Sequence, residues 1–447
     1  MTDLATYRVA RGRVPLAGHT PSMVRDPFRF LRSLQGQADI VRVDFGTIPT
    51  YFLTEPKLIN TLLTDHDGAL DKGRFYDKVR PLAGNGVVLA NGDEHRRQLA
   101  MVKPSVHRTQ VNRYAEVMRE VATDKATSWR AGQRIAADKE MHAITLRILA
   151  STMFGAGVDA HAVSELVRLL PAVLKGIMWR TVVPDAVNRV PLPVNRRFDR
   201  AFAELREAIN RIMRSYRERG VDNGDLMSVL LATRDEKSGE PLTEREVCDQ
   251  IVAVTMAGAE TAATALAWTF YEMARHPEIE RKVADEVRDV IGDRDFEIGD
   301  VAELEYVKRV LQESLRLRQP ILVISRRTTR PMDLGGRKVP AGTELFYSPY
   351  GVFRDPSLYP SPERFDPDRW LARPVTSLPR GAFVPFGGGP RHCFGEHFAW
   401  TMMAAVVVEV TRRWRLDLPP GFRAREMPWA TVNPSSLPMT VLPRAGR

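Results

Sequence analysis

Cysteine is scarce in this chain of 447 residues, which contains only Cys248 and Cys393. Two thiols exclude a disulfide framework and fit a reducing compartment. The start of the chain lacks the apolar core of a secretory signal. The longest apolar run, Phe398 to Val408, falls far short of the ~20 residues that span a bilayer. These absences predict a cytoplasmic protein without a transmembrane anchor.

Acidic residues are outnumbered by basic ones, 55 against 65, which gives a formal net charge of +10. Such an excess attracts acidic partners, and nucleic acid is one of them. Its usual signature is a basic stripe with exposed aromatics, or a helix-turn-helix pattern. Here the Lys and Arg residues are scattered through amphipathic segments. We therefore predict an acidic protein partner and no nucleic-acid partner.

Repeats, low-complexity tracts and composition breaks that would mark a linker are also missing, so we predict one large domain over residues 1–447. Apolar positions recur at three- and four-residue spacing between about Pro56 and Arg330, which is typical of helices. Alternating residues around Gly46 predict a β-hairpin, and residues 332–348 predict a second strand-rich segment. The predicted fold class is mainly α with small β-sheets.

Residues 243–276 are predicted to form one long helix. A capping box, Thr243 with Glu246, begins it, and a proline follows it. The segment is almost wholly apolar, as in a helix that crosses the interior of a large domain. Glu260 and Thr261 stand in its middle, where a carboxylate is costly unless it has a partner, water or a chemical task.

Cys393 by itself leaves several interpretations open. A zinc site needs about four ligands at short spacing, and although His392 and His397 are close by, no second cysteine is. A nucleophilic thiol needs a base, and a histidine adjacent in sequence rarely has the required geometry. A buried structural cysteine is the default for a lone thiol and suits Cys248. The neighbours of Cys393 must therefore decide its role.

The segment around this cysteine fits the pattern F-x-x-G-x-R-x-C-x-G at Phe386, Gly389, Arg391, Cys393 and Gly395. The pattern resembles the haem-binding loop of the cytochrome P450 superfamily, in which a thiolate ligates the iron. The resemblance implies the cytochrome P450 fold, a haem b cofactor and Cys393 as the axial ligand of its iron. Phe386 is expected beside the sulfur, and Gly387 and Gly395 let the backbone approach the macrocycle. Arg391 is expected to pair with a haem propionate.

Two further motifs resemble a structural network of the same family. Glu313 and Arg316 form an E-x-x-R pair, one helical turn apart and so on one face of a helix. Taken alone, such a pair is usually a solvated surface ion pair of little energetic value. Arg364, in the segment PERF, resembles the third member of the family's Glu-Arg-Arg network. The resemblance implies that these three residues fasten the loop before the cysteine to the core.

The segment AGAET, residues 257–261, resembles the oxygen-activation segment of the family. The resemblance implies that Ala257 and Gly258 lie beside the haem, where Gly258 permits a local opening of the helix that admits O2. Thr261 is expected to donate a hydrogen bond during oxygen activation, and Glu260 to relay protons from solvent. The alternative is structural: Thr261 bonds back to a carbonyl of its own helix, and Glu260 is one end of an ion pair.

Two more residues resemble positions that bind the haem propionates in this family. Arg326, in the segment VISRRTTR, stands where the family commonly has an arginine. His95, in GDEHRR, stands where the family has a tryptophan or histidine. The chain departs from the pattern four residues later, where Leu99 replaces a common basic residue. The resemblance therefore implies Arg326 and His95 as propionate ligands, with one partner fewer than usual.

The resemblance implies a haem-thiolate monooxygenase that uses O2. The chain shows no flavin domain and no dinucleotide fingerprint, so electrons are expected from a ferredoxin and its ferredoxin reductase. The basic balance suits an acidic ferredoxin, docked through arginines such as Arg96, Arg97 and Arg391. The alternatives are a peroxide-driven haem oxygenase and a non-catalytic haem sensor or carrier.

The substrate is predicted from the segments that face it in the family. These are residues 87–89, 169–183, 252–257, 321–324 and the segment VNPSSL near the end. Most of their side chains are apolar, which implies a lipophilic small molecule. The stretch RTTRPMDLGG resembles that of bacterial enzymes that tailor terpenoids. A terpenoid or another secondary metabolite is therefore the predicted substrate.

Overall fold

The structure is a computed structural model that describes residues 7–64, 68–155, 160–183, 185–219, 224–235 and 239–444. Helices account for 57% of the described residues, which confirms the predicted mainly α class with small β-sheets. Within the described residues, three of these helices are short 3-10 helices: Lys103–Val106, Val375–Ser377 and Gly389–Arg391.

The helices are α1 (Thr20–Arg25), α2 (Pro27–Ser33), α3 (Pro56–Leu63), α4 (Arg74–Ala83), α5 (Gly92–Val102), α6 (Arg108–Ser128), α7 (Ala137–Phe154), α8 (Ala160–Val182), α9 (Asp185–Arg189), α10 (Pro193–Arg219), α11 (Leu226–Ala232), α12 (Glu244–Arg275), α13 (Pro277–Ile291), α14 (Asp300–Glu303), α15 (Glu305–Leu317), α16 (Pro349–Val352), α17 (Arg369–Ala372) and α18 (Glu396–Arg413). The strands are β1 (Ile40–Phe45), β2 (Ile48–Leu53), β3 (Leu70–Asp71), β4 (Arg134–Ala136), β5 (Ile324–Thr328), β6 (Met332–Asp333), β7 (Lys338–Val339), β8 (Glu344–Tyr347), β9 (Trp414–Asp417), β10 (Glu426–Pro428), β11 (Val432–Pro434) and β12 (Pro438–Pro443).

The chain divides into two compact units. The first unit comprises Met1–Asp77, Arg309–Cys393 and Thr431–Asn433. The second unit comprises Lys78–Lys308, Phe394–Ala430 and Pro434–Arg447. The expectation of one domain over residues 1–447 stays a prediction.

The first unit is built on a five-stranded sheet in the order β1-β2-β8-β5-β3. The predicted hairpin is confirmed: β1 and β2 are antiparallel, with Phe45 opposite Ile48 across a turn at Gly46. Strand β8 pairs with β2 in parallel and with β5 antiparallel, which places Arg326 opposite Leu345. The second strand-rich segment is also confirmed, because β6, β7 and β8 all lie within residues 332–348.

The second unit is mostly helical and contains the predicted long helix, α12. Thr243 caps its N-terminus, and Glu246 completes the capping box by accepting from Thr243 N–H at 2.9 Å. Of the described helices, only α12 is long and apolar enough to cross a membrane, and 61% of that apolar window is buried inside the protein. Such burial is what an interior helix requires. The longest apolar run of the sequence, Phe398 to Val408, lies within α18.

Candidate active site

Cys393 lies at the end of a tight loop in the first unit. Its backbone N–H donates to Phe386 O at 2.9 Å, and His392 N–H donates to Gly389 O at 3.0 Å. These bonds fold the loop back on itself and leave Cys393 exposed, whereas Cys248 is buried. Burial raises the pKa of the Cys248 thiol to about 11, so it stays protonated at neutral pH. Cys393 is therefore the thiol that a large ligand can reach.

Gly389 is required by the packing of this loop on α3. Its φ is +61°, and a Cβ at this position would overlap the carbonyl of Leu63, at the end of α3. Only glycine combines this backbone conformation with so close an approach. Gly387, with φ +72°, gives the loop a second turn of the same kind. The glycines thus determine where the backbone carrying Cys393 lies.

Two arginines of the first unit act electrostatically on the same tyrosine, Tyr76. Arg326 is 8% exposed, and its Nη1 donates to Ser325 O at 2.8 Å. The charges of Arg326 and Arg391 both act on the hydroxyl of Tyr76: burial raises the pKa of Tyr76, and the two arginines lower it. Within the described residues Arg326 has no carboxylate partner. A buried guanidinium without a counter-charge is suited to an anionic ligand such as a carboxylate.

Glu313 and Arg316 form an ion pair that is fully buried in the first unit. Arg316 Nη2 lies 2.8 Å from Glu313 Oε1, and Nε lies 2.9 Å from Oε2, in a bidentate arrangement. Arg316 Nη1 donates to Phe353 O and to Pro362 O, each at 2.8 Å. The pair is therefore not the solvated surface pair that E-x-x-R spacing alone suggests. It connects α15 to the chain that precedes the cysteine loop.

The structure corrects the assignment of Arg364 to this network. The second guanidinium on Glu313 belongs to Arg369, whose Nε donates to Glu313 Oε1 at 2.9 Å. The side chain of Arg364 is exposed, and only its carbonyl takes part, accepting from Arg316 at 3.2 Å and from Arg369 at 3.1 Å. The main chain turns between the two positions, so Arg369 points inward where Arg364 does not.

A sequence signal for Arg369 exists but is ambiguous. The chain contains two successive Pro-acid-Arg-aromatic segments, PERF at 362–365 and PDRW at 367–370. Both match the motif equally well, because the pattern specifies residue types and not the direction of a side chain. Contact with Glu313, 56 positions earlier, distinguishes them.

The middle of α12 contains the segment that resembles an oxygen-activation site. Residues 254–258, 260 and 261 are half-buried, whereas most of the surrounding helix is buried. Thr261 Oγ1 donates to Ala257 O at 2.7 Å, a bond back to its own helix. The predicted opening at Gly258 is not seen, since α12 is continuous through it. A Cβ on Gly258 would lie 3.1 Å from both methyl groups of Leu149 in α7, so close helix packing accounts for this glycine.

Glu260 is paired with a histidine from α7. Its Oε2 lies 3.2 Å from His142 Nε2, and His142 Nδ1 lies 2.8 Å from Asp138 O. The structure thus shows the arrangement that the sequence left open as an alternative, an ion-paired Glu260 beside a back-bonded Thr261. That arrangement is compatible with proton transfer, and the catalytic roles of both residues stay predictions. His142 was missed from the sequence because it stands 118 residues before its partner.

His95 and Arg97 lie on α5 of the second unit, in different surroundings. His95 is 8% exposed, as a residue facing the interior requires. Arg97 pairs with Glu94 at 2.9 Å, Asp235 at 2.7 Å and Glu246 at 2.9 Å. These carboxylates raise the pKa of Arg97 further above its ordinary value. Its charge is more than neutralised, which argues against the predicted contact of Arg97 with an acidic partner.

The predicted substrate-facing residues 87–89 and the preceding Asn85 are attached to α12. Asp249 accepts from Asn85 N–H at 3.0 Å, and Gln250 Oε1 accepts from Val87 N–H at 2.9 Å. The same Asp249 lies 3.0 Å from Arg206 Nη2 of α10. One buried carboxylate therefore joins this loop, α10 and α12. The side chain of Val87 is 1% exposed and forms part of the apolar interior.

The comparisons with known proteins identify the family. The model of the family described as cytochrome P450 matches residues 10–439. The chain belongs to the cytochrome P450 family. It is 38% identical to a cyclooctat-9-en-7-ol 5-monooxygenase and 36% identical to a cyclooctatin synthase, both from Streptomyces melanosporofaciens, over 98% of this chain and 96% of each relative. It is 34% identical to a pentalenene oxygenase from Streptomyces avermitilis over 95% of this chain and 94% of that relative.

The fold also matches that of a solved member of the family. The crystal structure of the haem domain of cytochrome P450DA superposes with a TM-score of 0.86, covers 98% of both chains and is 22% identical. This likeness concerns the fold alone. Together with the family match, it establishes a cytochrome P450 monooxygenase whose cofactor contains a haem iron.

The residues of the first unit fit such a cofactor. An exposed thiol suits the iron, and the buried guanidinium of Arg326 suits a propionate. Within the described ranges no group of three His, Cys, Asp or Glu side chains could hold a metal ion. A zinc site at Cys393 is therefore not supported, whereas single-thiolate ligation of haem is compatible with this donor set.

Proposed function

We propose that this monooxygenase inserts one oxygen atom from O2 into a lipophilic small molecule, a terpenoid or another secondary metabolite, with electrons from a ferredoxin and its reductase. The main support is the folded loop that presents Cys393 as the exposed thiol of a family that binds haem. In this proposal residues 1–447 form a single haem domain that acts in the cytoplasm.

The residues of the loop and of β5 hold the cofactor in this proposal. Cys393 would ligate the haem iron through its thiolate, and Phe386 would lie beside the sulfur. Arg326 and Arg391 would bind the propionates, and the propionate role of His95 stays a prediction. Gly387 and Gly395 keep the backbone close to the macrocycle. When bound, the haem supplies the activation of O2, and the protein orients substrate, excludes water and controls protons.

The middle of α12 performs the proton chemistry in this proposal. Ala257 and Gly258 are small, so they leave space beside the half-buried part of the helix. In the structure the hydroxyl of Thr261 donates a hydrogen bond to Ala257 O. During the reaction the same hydroxyl donates its proton to a different acceptor. Glu260 accepts protons from solvent and holds them next to Thr261 in the sequence.

The substrate class is inferred from relatives and from the apolar segments. Two relatives are named as a cyclooctat-9-en-7-ol 5-monooxygenase and a pentalenene oxygenase, and both of these compounds are terpenoids. The corresponding segments here are apolar, with Val252 and Leu89 buried and Ile321 to Ile324 half-buried. A hydrocarbon with at most one hydroxyl group would lose little hydration on binding such side chains.

Thr261→Ala is expected to uncouple electron use from product formation. A positioned proton donor contributes about 10²–10⁴ in rate, so we expect the fraction of electrons that reaches product to fall by about tenfold or more. The measurement compares electrons consumed, hydrogen peroxide released and product formed. The probe is whichever of pentalenene and cyclooctat-9-en-7-ol shifts the absorption band of the ferric holoenzyme.

Thr269→Ala is the matched control for this test. Thr269 makes the same bond back to its own helix, Oγ1 to Ala265 O at 2.8 Å, but it is fully buried two turns further along α12. We expect the control to keep normal coupling. Equal coupling in Thr261→Ala and the wild type would favour a haem sensor or carrier. Turnover with peroxide alone that matched the ferredoxin-driven rate would favour a peroxide-driven oxygenase.

Arg108→Glu is expected to weaken the use of ferredoxin. Lys103 and Arg108 are exposed and have no carboxylate partner within the described residues. Arg108 lies close to His397 at the start of α18: burial lowers the pKa of His397 and the charge of Arg108 lowers it further. We expect charge reversal to raise the KM for ferredoxin and to reduce the salt dependence of turnover, because an exposed docking charge mainly accelerates association.

Arg130→Glu is the control for ferredoxin docking. Arg130 is exposed beyond the other end of α6, about 30 Å away along that helix. Both variants change the net charge equally, so a general charge effect would appear in both. The docking proposal requires the KM for ferredoxin to change with Arg108→Glu and to stay unchanged with Arg130→Glu.

A further inference from the structure

The family resemblance implies a role for Glu260 but none for His142, its partner in the structure. His142 belongs to α7 and Glu260 to α12, both in the second unit, and the nearest atoms are 3.2 Å apart. The side chain of His142 is 36% exposed and that of Glu260 is 21% exposed. The histidine is therefore the end of the pair that borders solvent more openly.

The hydrogen bonds of His142 determine how many protons the pair holds. His142 Nδ1 lies 2.8 Å from Asp138 O, and a carbonyl oxygen only accepts, so Nδ1 carries a hydrogen. The other nitrogen, Nε2, faces Glu260 Oε2. A hydrogen bond between these two atoms needs one proton, which is held either as imidazolium beside carboxylate or as neutral imidazole beside carboxylic acid. The pair is thus built around one shared proton.

We propose that His142 is the positioning residue and proton supplier of Glu260, so that protons from water reach Glu260 through His142 Nε2. This inference rests on the proposed function, in which Glu260 relays protons beside Thr261. In the transfer the Nε2–H bond breaks, a bond from that proton to Glu260 Oε2 forms, and His142 remains neutral with its Nδ1 hydrogen. A hydronium ion from solvent then returns a proton to Nε2 and leaves water.

The charged groups that act on His142 come from two elements. Glu260 faces it from α12, and Asp138 stands one turn earlier on α7, where its carboxylate also accepts from Leu437 N–H at 3.0 Å. Burial lowers the pKa of His142, but the hydrogen bond and charge of Glu260, together with the carbonyl and charge of Asp138, raise it above its ordinary value. The protonated pair therefore persists to a higher pH than free histidine, whose pKa is ~6.5.

The sign of the pH dependence follows from that direction. Stabilisation by the protonated pair is complete below the ordinary pKa of histidine and is lost as the pH rises through the raised value. The supply of protons to Glu260 follows the same course. In the wild type the fraction of electrons that reaches product is thus expected to fall as the pH rises through the titration of His142.

The first test measures the protonation of His142 directly. The imidazole resonances of the diamagnetic ferrous carbonyl holoenzyme are followed by NMR against pH, and the His142 signal is identified by its loss in His142→Gln. We expect its midpoint to lie above the ordinary value in the wild type and to fall in Glu260→Gln. A His142 titration midpoint that is unchanged in Glu260→Gln would contradict the inference that the pair shares one proton.

The second test compares coupling against pH in the wild type, His142→Gln and His161→Gln. A glutamine amide at position 142 donates a hydrogen bond to Glu260 but does not titrate. We expect His142→Gln to raise the hydrogen peroxide released per electron pair several-fold. We also expect it to remove the inflection from the plot of coupling against pH. His161 is the control because its side chain is 78% exposed and lies 3.9 Å from Glu165 in another His–Glu pair. An inflection that persists in His142→Gln would overturn the role of His142.

The proposed oxygenase function and the proposed role of His142 can be disproved separately. If Thr261→Ala leaves coupling unchanged while the His142 midpoint still depends on Glu260, the oxygenase function fails and the proton pair remains. If Thr261→Ala uncouples the enzyme while the coupling profile of His142→Gln matches the wild type, only the role of His142 fails. The carbonyl band of each variant shows that the holoenzyme has assembled.

Discussion

Cys393→Ser is expected to abolish oxygenation of every probe and to remove the red-shifted carbonyl band of the ferrous protein. A serine hydroxyl stays protonated at neutral pH and donates far less electron density to iron than a thiolate does. The backbone bond from residue 393 to Phe386 O does not involve the side chain, so the loop can keep its fold. The loss would therefore report on ligation of the iron.

Cys248→Ser is the matched control, since it removes the other thiol of the chain. Cys248 is buried in α12 and is held as a neutral thiol, so its replacement is expected to lower stability slightly and to leave the carbonyl band in place. The spectrum of the ferrous carbonyl form checks both variants. A red-shifted band that survived Cys393→Ser would contradict the assignment of the axial ligand and the oxygen chemistry that depends on it.

Arg316→Met is expected to destabilise the protein by about 3–5 kcal/mol, because it leaves the carboxylate of Glu313 without its buried bidentate partner. The carbonyls of Phe353 and Pro362 lose the same donor. Retention of haem is expected to fall as well, since these carbonyls belong to the chain that leads to the cysteine loop. Denaturant unfolding and the haem content of purified protein are the measurements.

Arg369→Met and Arg364→Met test the corrected network directly. The side chain of Arg369 is 10% exposed and lies 2.9 Å from Glu313, so its loss is expected to cost a large part of what Arg316→Met costs. The exposed side chain of Arg364 makes no such contact, so its replacement is expected to stay within about 0.5 kcal/mol of the wild type. The reverse order of effects would restore Arg364 as the third member.

The choice between Arg364 and Arg369 shows what a sequence pattern cannot predict. PERF and PDRW present an arginine between an acid and an aromatic residue in the same way. What separates them is the turn of the chain between residues 360 and 370, which places one guanidinium on Glu313 and the other in solvent. That turn depends on buried contacts with α15, which no local pattern encodes.

Arg97 shows the same limit for charge. In sequence it is one of many basic residues and a natural candidate for an acidic partner. In the structure it is surrounded by three carboxylates, two of them 138 and 149 residues away. The exposed Arg108, which looks no different in sequence, has no such partner within the described residues. Net charge predicts an acidic partner, which stays a prediction, and the folded chain decides which basic residues already have carboxylate partners.

The sequence by itself determined the features that depend on residues close together in the chain. The hairpin at Gly46, the capping box of Thr243 and Glu246, and the glycine–arginine–cysteine loop are all local, because turns, caps and loop conformations are set within about ten residues. Tertiary structure decided the pairings: Glu313 with Arg369, Glu260 with His142, and Arg97 with Glu246, separated by 56, 118 and 149 positions. A buried charge requires a counter-charge, but only the packing of distant helices selects which residue supplies it.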